Sequence, residues 1–116
     1  MTDSILDSIK VTLNLDPENT DFDQQILLFV NGVFSDLTQL GIGPDSGFNV
    51  PDASVIWQDF MEDDPRLNSV KTYVYLRVRV LFDPPSTSFV LDAMNQQIQE
   101  LAWRINVRRE EEMYQS

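Results

Sequence analysis

The sequence predicts an all-α protein, and three observations carry that reading. Two stretches, 22–40 and 91–105, repeat apolar residues at helical spacing. Between the periodic stretches lie strong breakers: Asp16-Pro17, the glycines at 41, 43 and 47, and Asp83-Pro84-Pro85. A third apolar stretch, ending at Phe82, carries a helix-start signal at Asp64-Pro65, although its second half also alternates like a strand.

The first element is a short amphipathic helix over 2–15. Ile5, Ile9 and Leu13 share a face with Leu6 beside them, and Asp3 or Ser4 can cap the start. Asp16-Pro17 ends it. Thr20-Asp21-Phe22-Asp23 then reads as a capping box with Asp in place of Glu. Phe22, Ile26, Phe29, Val33, Leu37 and Leu40 follow on one stripe, and Gly41 is the stop. Asn31-Gly32 is a hairpin signal, but the stripe runs through it and the flanks do not alternate. The reading is therefore helix, with Gly32 costing about 1 kcal/mol against Ala. Either a closely approaching helix offsets that cost or the fold tolerates it.

Residues 41–53 (GIGPDSGFNVPDA) form a loop, long enough for a compact domain to suggest a binding or flexible element. A short helical turn is expected around 54–61, with Val55, Trp57 and Phe60 turned inward. The segment from Asp64-Pro65 to Phe82 is ambiguous. As a strand it would put Val74, Leu76, Val78, Val80 and Phe82 on one side. As a helix it would carry Leu67, Val70, Val74, Val78 and Leu81 on one stripe, a wide face suited to a central position. Ser86 or Ser88 can cap a last helix. Leu91, Met94, Ile98, Leu101 and Ile105 form its seam, and Glu100 can pair with Arg104. The tail RREEEMYQS is expected to fray unless a partner holds it.

The chain of 116 residues fits one domain over 1–116, and 42% hydrophobic residues suffice for one core. It has no cysteine and no histidine. That excludes disulfides, thiolate metal sites, the commonest general base and the usual transition-metal ligand. No apolar run nears the ~20 residues of a membrane span, and the N-terminus MTDSILDSIK does not read as a secretion signal. The expectation is a soluble protein without membrane contact.

Net charge is −11 and unevenly spread: residues 1–65 hold 13 acids and one base, whereas 66–116 hold seven bases and six acids. The acidic half repels phosphate and so opposes nucleic-acid binding. Asp21 with Asp23, and Asp63 with Asp64, lie at helix starts, where capping accounts for them better than a metal does. Residues 16–23 lack the Gly and the spacing of a calcium loop. The glycines at 41, 43 and 47 lack the Lys-Ser/Thr of a phosphate loop. No catalytic residue, cofactor or metal is expected. What remains are Arg77, Arg79, Trp103, Arg104, Arg108 and Arg109, an arginine and aromatic set of the kind that anchors protein interfaces. Pairing of these arginines with the acidic half of the same chain is the competing account.

The order of segments SILDSIK, NGVFSDLTQLGIGP, VIWQDFM, VKTYVYLRVRVLFDPP and SFVLDAMNQQIQELAWRINV resembles the small head–tail connector, or adaptor, proteins of long-tailed bacteriophages. The resemblance covers nearly the whole chain. It implies an all-α fold of four to five helices in a small compact bundle, with a long loop between the second helix and the later ones. It favours helix over strand at 73–82. It further implies a homo-oligomeric ring, dodecameric in the virion and assembled in the host cytoplasm. Such a ring docks under the portal protein, meets a stopper or tail completion protein, and passes DNA through its channel without specific binding. A different class of function is an acidic helical module that mimics DNA and blocks a basic protein site; it would act as a monomer or dimer.

Overall fold

The computed structural model describes residues 4–44, 46–61 and 67–115, with 107–115 described by backbone alone. Among the described residues there are five helices: α1 (Ile5–Thr12), α2 (Asp23–Gln39), α3 (Trp57–Phe60), α4 (Leu67–Phe82) and α5 (Ser88–Gln115). No strand occurs among them, only an isolated antiparallel bridge between Ser4 and Ile56. The ambiguous segment 73–82 is helix. Its alternation is real, but Val70, Tyr73, Val74 and Val78 are the residues it buries, a helical set. The Asp64-Pro65 start signal lies outside the described residues.

Local chemistry sets the helix ends. Ser4 Oγ accepts from the Asp7 N–H at 3.3 Å and starts α1. α1 stops earlier than the expected residue 15. Asn14 turns left-handed (φ 61°), its N–H donates to Val11 O, and the Leu15 N–H reaches back to Lys10 O at 2.8 Å. This is the Schellman arrangement, with Asn where Gly is commoner. α2 ends the same way: Gly41 has φ 80°, and Ile42 N–H donates to Leu37 O at 2.9 Å.

At the start of α2 the expected capping box is absent. The cap position is Phe22, with no side-chain bond to the first turn. Asp16 and Asn19 instead make local turns, accepting from the N–H groups of Glu18 and Asp21. Asp23 faces Lys10. That lysine is 1% exposed and is the only base in the acidic half. Its ammonium donates to Pro17 O at 2.9 Å and lies 2.8 Å from Asp23 Oδ1. The second contact is a charge contact rather than an aligned hydrogen bond, since Asp23 Oδ1 has no bond of good angle. Lys10 thus ties α1, the 13–22 turn and α2 together at one point.

The long loop is neither loose nor exposed along its length. It folds back onto α2 and buries Ile42 and Val50. The Asn31 amide grips its backbone from both sides, donating to Val50 O at 3.0 Å and accepting from Val50 N–H at 2.7 Å. Gly43 is required there. It has φ 83°, and a Cβ would run into the Phe60 ring. The loop and α3 deliver Phe48, Phe60 and Trp57 to Phe34, with ring centroids 5.1, 4.7 and 6.1 Å away. Trp57 Nε1 donates to Ser8 Oγ at 2.9 Å, which satisfies the one polar atom of that indole.

α4 lies at the centre and packs against both α2 and α5. α5 packs on α4 through the expected seam, in which Leu101 and Ile105 are buried and Leu91, Met94 and Ile98 half-buried. The helix runs to Gln115, past the point where the charged tail was expected to fray.

Candidate functional site

The six residues singled out from the sequence fall into two groups with different partners. Arg77 and Arg79 sit on α4. Arg77 Nη2 donates to Asp36 Oδ2 on α2 at 2.8 Å, and Nη1 donates to Tyr73 Oη, also at 2.8 Å. Its guanidinium also lies over the Tyr73 ring, 5.6 Å from the centroid. Burial works against the charge, but the bonds to Asp36 and Tyr73 outweigh it and hold Arg77 above its ordinary value. Arg77 is therefore charged at any physiological pH and clamps α4 to α2. Arg79 Nε donates to Asp83 O at 2.6 Å, closing the last turn of α4 where a cation is favoured. Arg77 thus pairs with the acidic half of the chain, as the competing account required, whereas Arg79 takes its partner at the end of its own helix, outside that half.

Trp103 and Arg104 sit on α5 and do not join them. Trp103 is 67% exposed. Among the described side chains, Arg104 makes only a long contact to Glu100, 3.9 Å, one turn back on the same exposed face. Such a pair contributes little in water. Arg108 and Arg109 continue α5, and their side chains lie outside the described residues. At the other end of the helix Phe89 is 83% exposed, the most open large apolar side chain among those described. Phe89, Gln96 and Trp103 are spaced by seven and fall on the face opposite the seam. Periodicity did hold that information: positions that miss the seam are the outer face. Trp103 was marked by its place beside the arginines, but Phe89, fourteen residues earlier on the same face, had no such neighbour to mark it.

The second outward face belongs to α2. Gln25, Leu28, Gly32, Ser35 and Gln39 are all exposed, with Leu28 at 71%. None of the five is charged, in the half of the chain that carries 13 acids. A Cβ at Gly32 would meet no atom within 4 Å. No neighbouring helix of this chain therefore requires a glycine at that position.

Elsewhere the surface offers little for chemistry. A shallow crevice between α4 and α5, about 340 Å³, is lined by Arg77, Val80, Leu81, Asn95, Ile98 and Gln99. Arg77, its one charged group, is already committed to Asp36. The described residues contain no group of three or more Asp or Glu side chains placed to hold a metal. The Asp63 and Asp64 pair lies outside them. No described helix is long and apolar enough to cross a membrane.

Compared with known proteins, the chain matches a family model described as phage connector protein over residues 5–112. No curated protein and no solved structure gives a significant match.

Proposed function

The chain belongs to the phage connector protein family, whose members are structural virion components rather than catalysts, and from that premise we propose a specific role. The protein is a head–tail connector (adaptor) subunit. Copies assemble as a ring beneath the portal, extend the DNA channel, and present a platform to the stopper or tail completion protein. The observation that carries this reading is the family match, which covers all five helices up to residue 112.

Two features of the molecule support it. A ring needs heterologous contacts, in which one face of a subunit meets a different face of the next. The outer faces of α5 and α2 are two unlike exposed surfaces of this kind. A channel wall with net charge −11 per subunit would also let DNA slide past without adhering. Within the interface set, Trp103, Arg104, Arg108 and Arg109 make the contacts to a neighbouring subunit or the portal. Arg77 and Arg79 act inside the subunit, holding α4 in place.

Electron microscopy of the protein mixed with its cognate portal tests the role. The expected result is added ring density on one end of the portal; a portal unchanged by the mixture would refute the reading. Charge reversal of Arg104, Arg108 and Arg109 together is expected to abolish that density while leaving helix content unchanged.

A further inference from the structure

Two faces of this molecule have no internal partner. α5 buries one seam against α4 and leaves the opposite face, with Phe89 at 83% and Trp103 at 67% exposure, in water. α2 packs inward on α4 and α1 and leaves the uncharged stripe Gln25, Leu28, Gly32, Ser35 and Gln39 outside. Phe89 and Trp103 stand about 21 Å apart at the two ends of that face with Gln96 between them, so they offer two apolar anchors rather than a continuous patch. Gly32 costs the helix stability against alanine, no described atom lies where its Cβ would be, and close approach of another backbone would offset that cost.

We propose that these two faces are the halves of one contact: the outer face of α5 lies antiparallel along the outer stripe of α2 on a second copy of this chain. The proposal rests on the ring reading and deepens it by naming the surfaces.

Size, shape and charge select this pairing. Phe89 to Trp103 and Gln25 to Gln39 each cover 14 steps of helix, about 21 Å, so the stripes match in length. One carries bulk at both ends and the other is low in the middle at Gly32. The charges nearest the stripes favour one direction. On α5, Arg104, Arg108 and Arg109 follow Trp103 and precede Glu110, Glu111 and Glu112, while the exposed acids Asp16, Glu18 and Asp21 lie just before α2, Asp21 the nearest of them. An antiparallel arrangement brings these together; a parallel one sets the arginines beside Gln39, away from those acids. With Trp103 over Gln25 and Phe89 over Gln39, Gln96 falls on Gly32 and Ala93 on Ser35. An α5-to-α5 dimer would bury no part of the α2 stripe. Because the two faces belong to different helices, the contact leaves one of each free after every addition, as a ring requires.

The chain has no cysteine, so a single introduced pair reports without background. Ser35→Cys and Ala93→Cys, both at exposed positions, are prepared separately, mixed with the cognate portal and oxidised. A disulfide needs Cα atoms within about 7 Å, so it reads this register directly. The expected outcome is a covalent dimer in the mixture and none from either variant alone. Ring density on the portal without that cross-link, or Ala93→Cys joining to itself, overturns the contact while leaving the ring reading intact. Absence of ring density with the unmodified protein overturns both. Gly32→Leu provides a second check, because the position is open and leucine favours helix. Unchanged circular dichroism with loss of the ring is expected, and a ring that survives Gly32→Leu counts against the pairing.

Discussion

The region around Phe34 and the outer face of α5 spend their large side chains in opposite ways. Phe34 is wholly buried, with Phe48, Phe60 and Trp57 packed around it from the loop and from α3. Polar groups there are matched locally: Asn31 to Val50, Trp57 to Ser8, Lys10 to Pro17 and Asp23. On α5 the aromatics Phe89 and Trp103 face outward, and among the described side chains Arg104 has only a long contact to Glu100. The first region is complete within one chain. The second is complete only if something covers it. On the proposed contact, stability and assembly fall to different parts of the molecule, and substitutions should separate them.

The largest effect should come from Phe34→Ala. Truncating a ring with no exposure and three aromatic neighbours leaves a cavity that the tied loop cannot close. A loss of about 3–5 kcal/mol is expected. Urea unfolding followed by tryptophan fluorescence measures it; a loss comparable to that of a surface substitution would show that the Phe34 cluster is not the centre of stability.

Lys10→Met should rank next. It keeps the apolar stem but strips the donor from Pro17 O and the countercharge from Asp23. Asp23 retains 23% side-chain exposure, so the penalty falls at the lower end for a broken buried pair, about 3 kcal/mol. Adding Asp23→Asn in the Lys10→Met background should recover part of that loss. Denaturation of the double variant decides it, since equal losses in single and double variants would mean that the charge pairing contributes nothing.

On the outer face the expectation reverses. Phe89→Ser with Trp103→Ser removes two large side chains that bury little, so stability should stay within about 0.5 kcal/mol of the parent. Ring assembly on the portal should nonetheless fail. A substantial drop in melting temperature would place these aromatics in the subunit core and erase the contrast between the two regions.

The sequence showed most of the skeleton, because helices whose periodicity runs for several turns have one dominant reading. The seam of α5 and the stripe of α2 fall into this class, as does the stop at Gly41. The segment 73–82 was harder. Alternating Val, Leu and Phe satisfy both periods, and only the position of α4 between α2 and α5 decides which residues are buried. The Thr20–Asp23 capping box failed for a different reason. A buried ammonium attracted Asp23 more strongly than the helix N-terminus did, and Lys10 carries no sign of burial in the linear sequence. What anchors the loop was equally hidden, since its backbone is tied by one amide, Asn31, nineteen residues from its partner. Of the interface set, the sequence supplied the residue types. Which arginines remain open could not be read without the partners of Arg77 and Arg79, which are Asp36 and Asp83.

The smallest effect concerns Asp52, in the exposed part of the loop. Its carboxylate accepts from the Ser54 hydroxyl and from the Ser54 N–H, and these bonds, the hydroxyl's foremost, hold it below its ordinary value of 3.8. A carboxylate depressed in the folded state stabilises it above the unfolded value, and that contribution fades as pH falls through the lower, folded value. The window therefore lies at and below pH 3.8, well outside neutral conditions. Ser54→Ala removes the hydroxyl and keeps the backbone donor. The Asp52 carboxyl resonance, followed by NMR through an acid titration, should then move its midpoint upward, and the small stabilisation that this bond supplies above the window, pH 7 included, should be lost. An unchanged midpoint would mean that the backbone N–H alone sets the shift. Either way the loop tip around Asp52 would tune only itself, whereas the same loop's Val50, two residues earlier, is locked to α2.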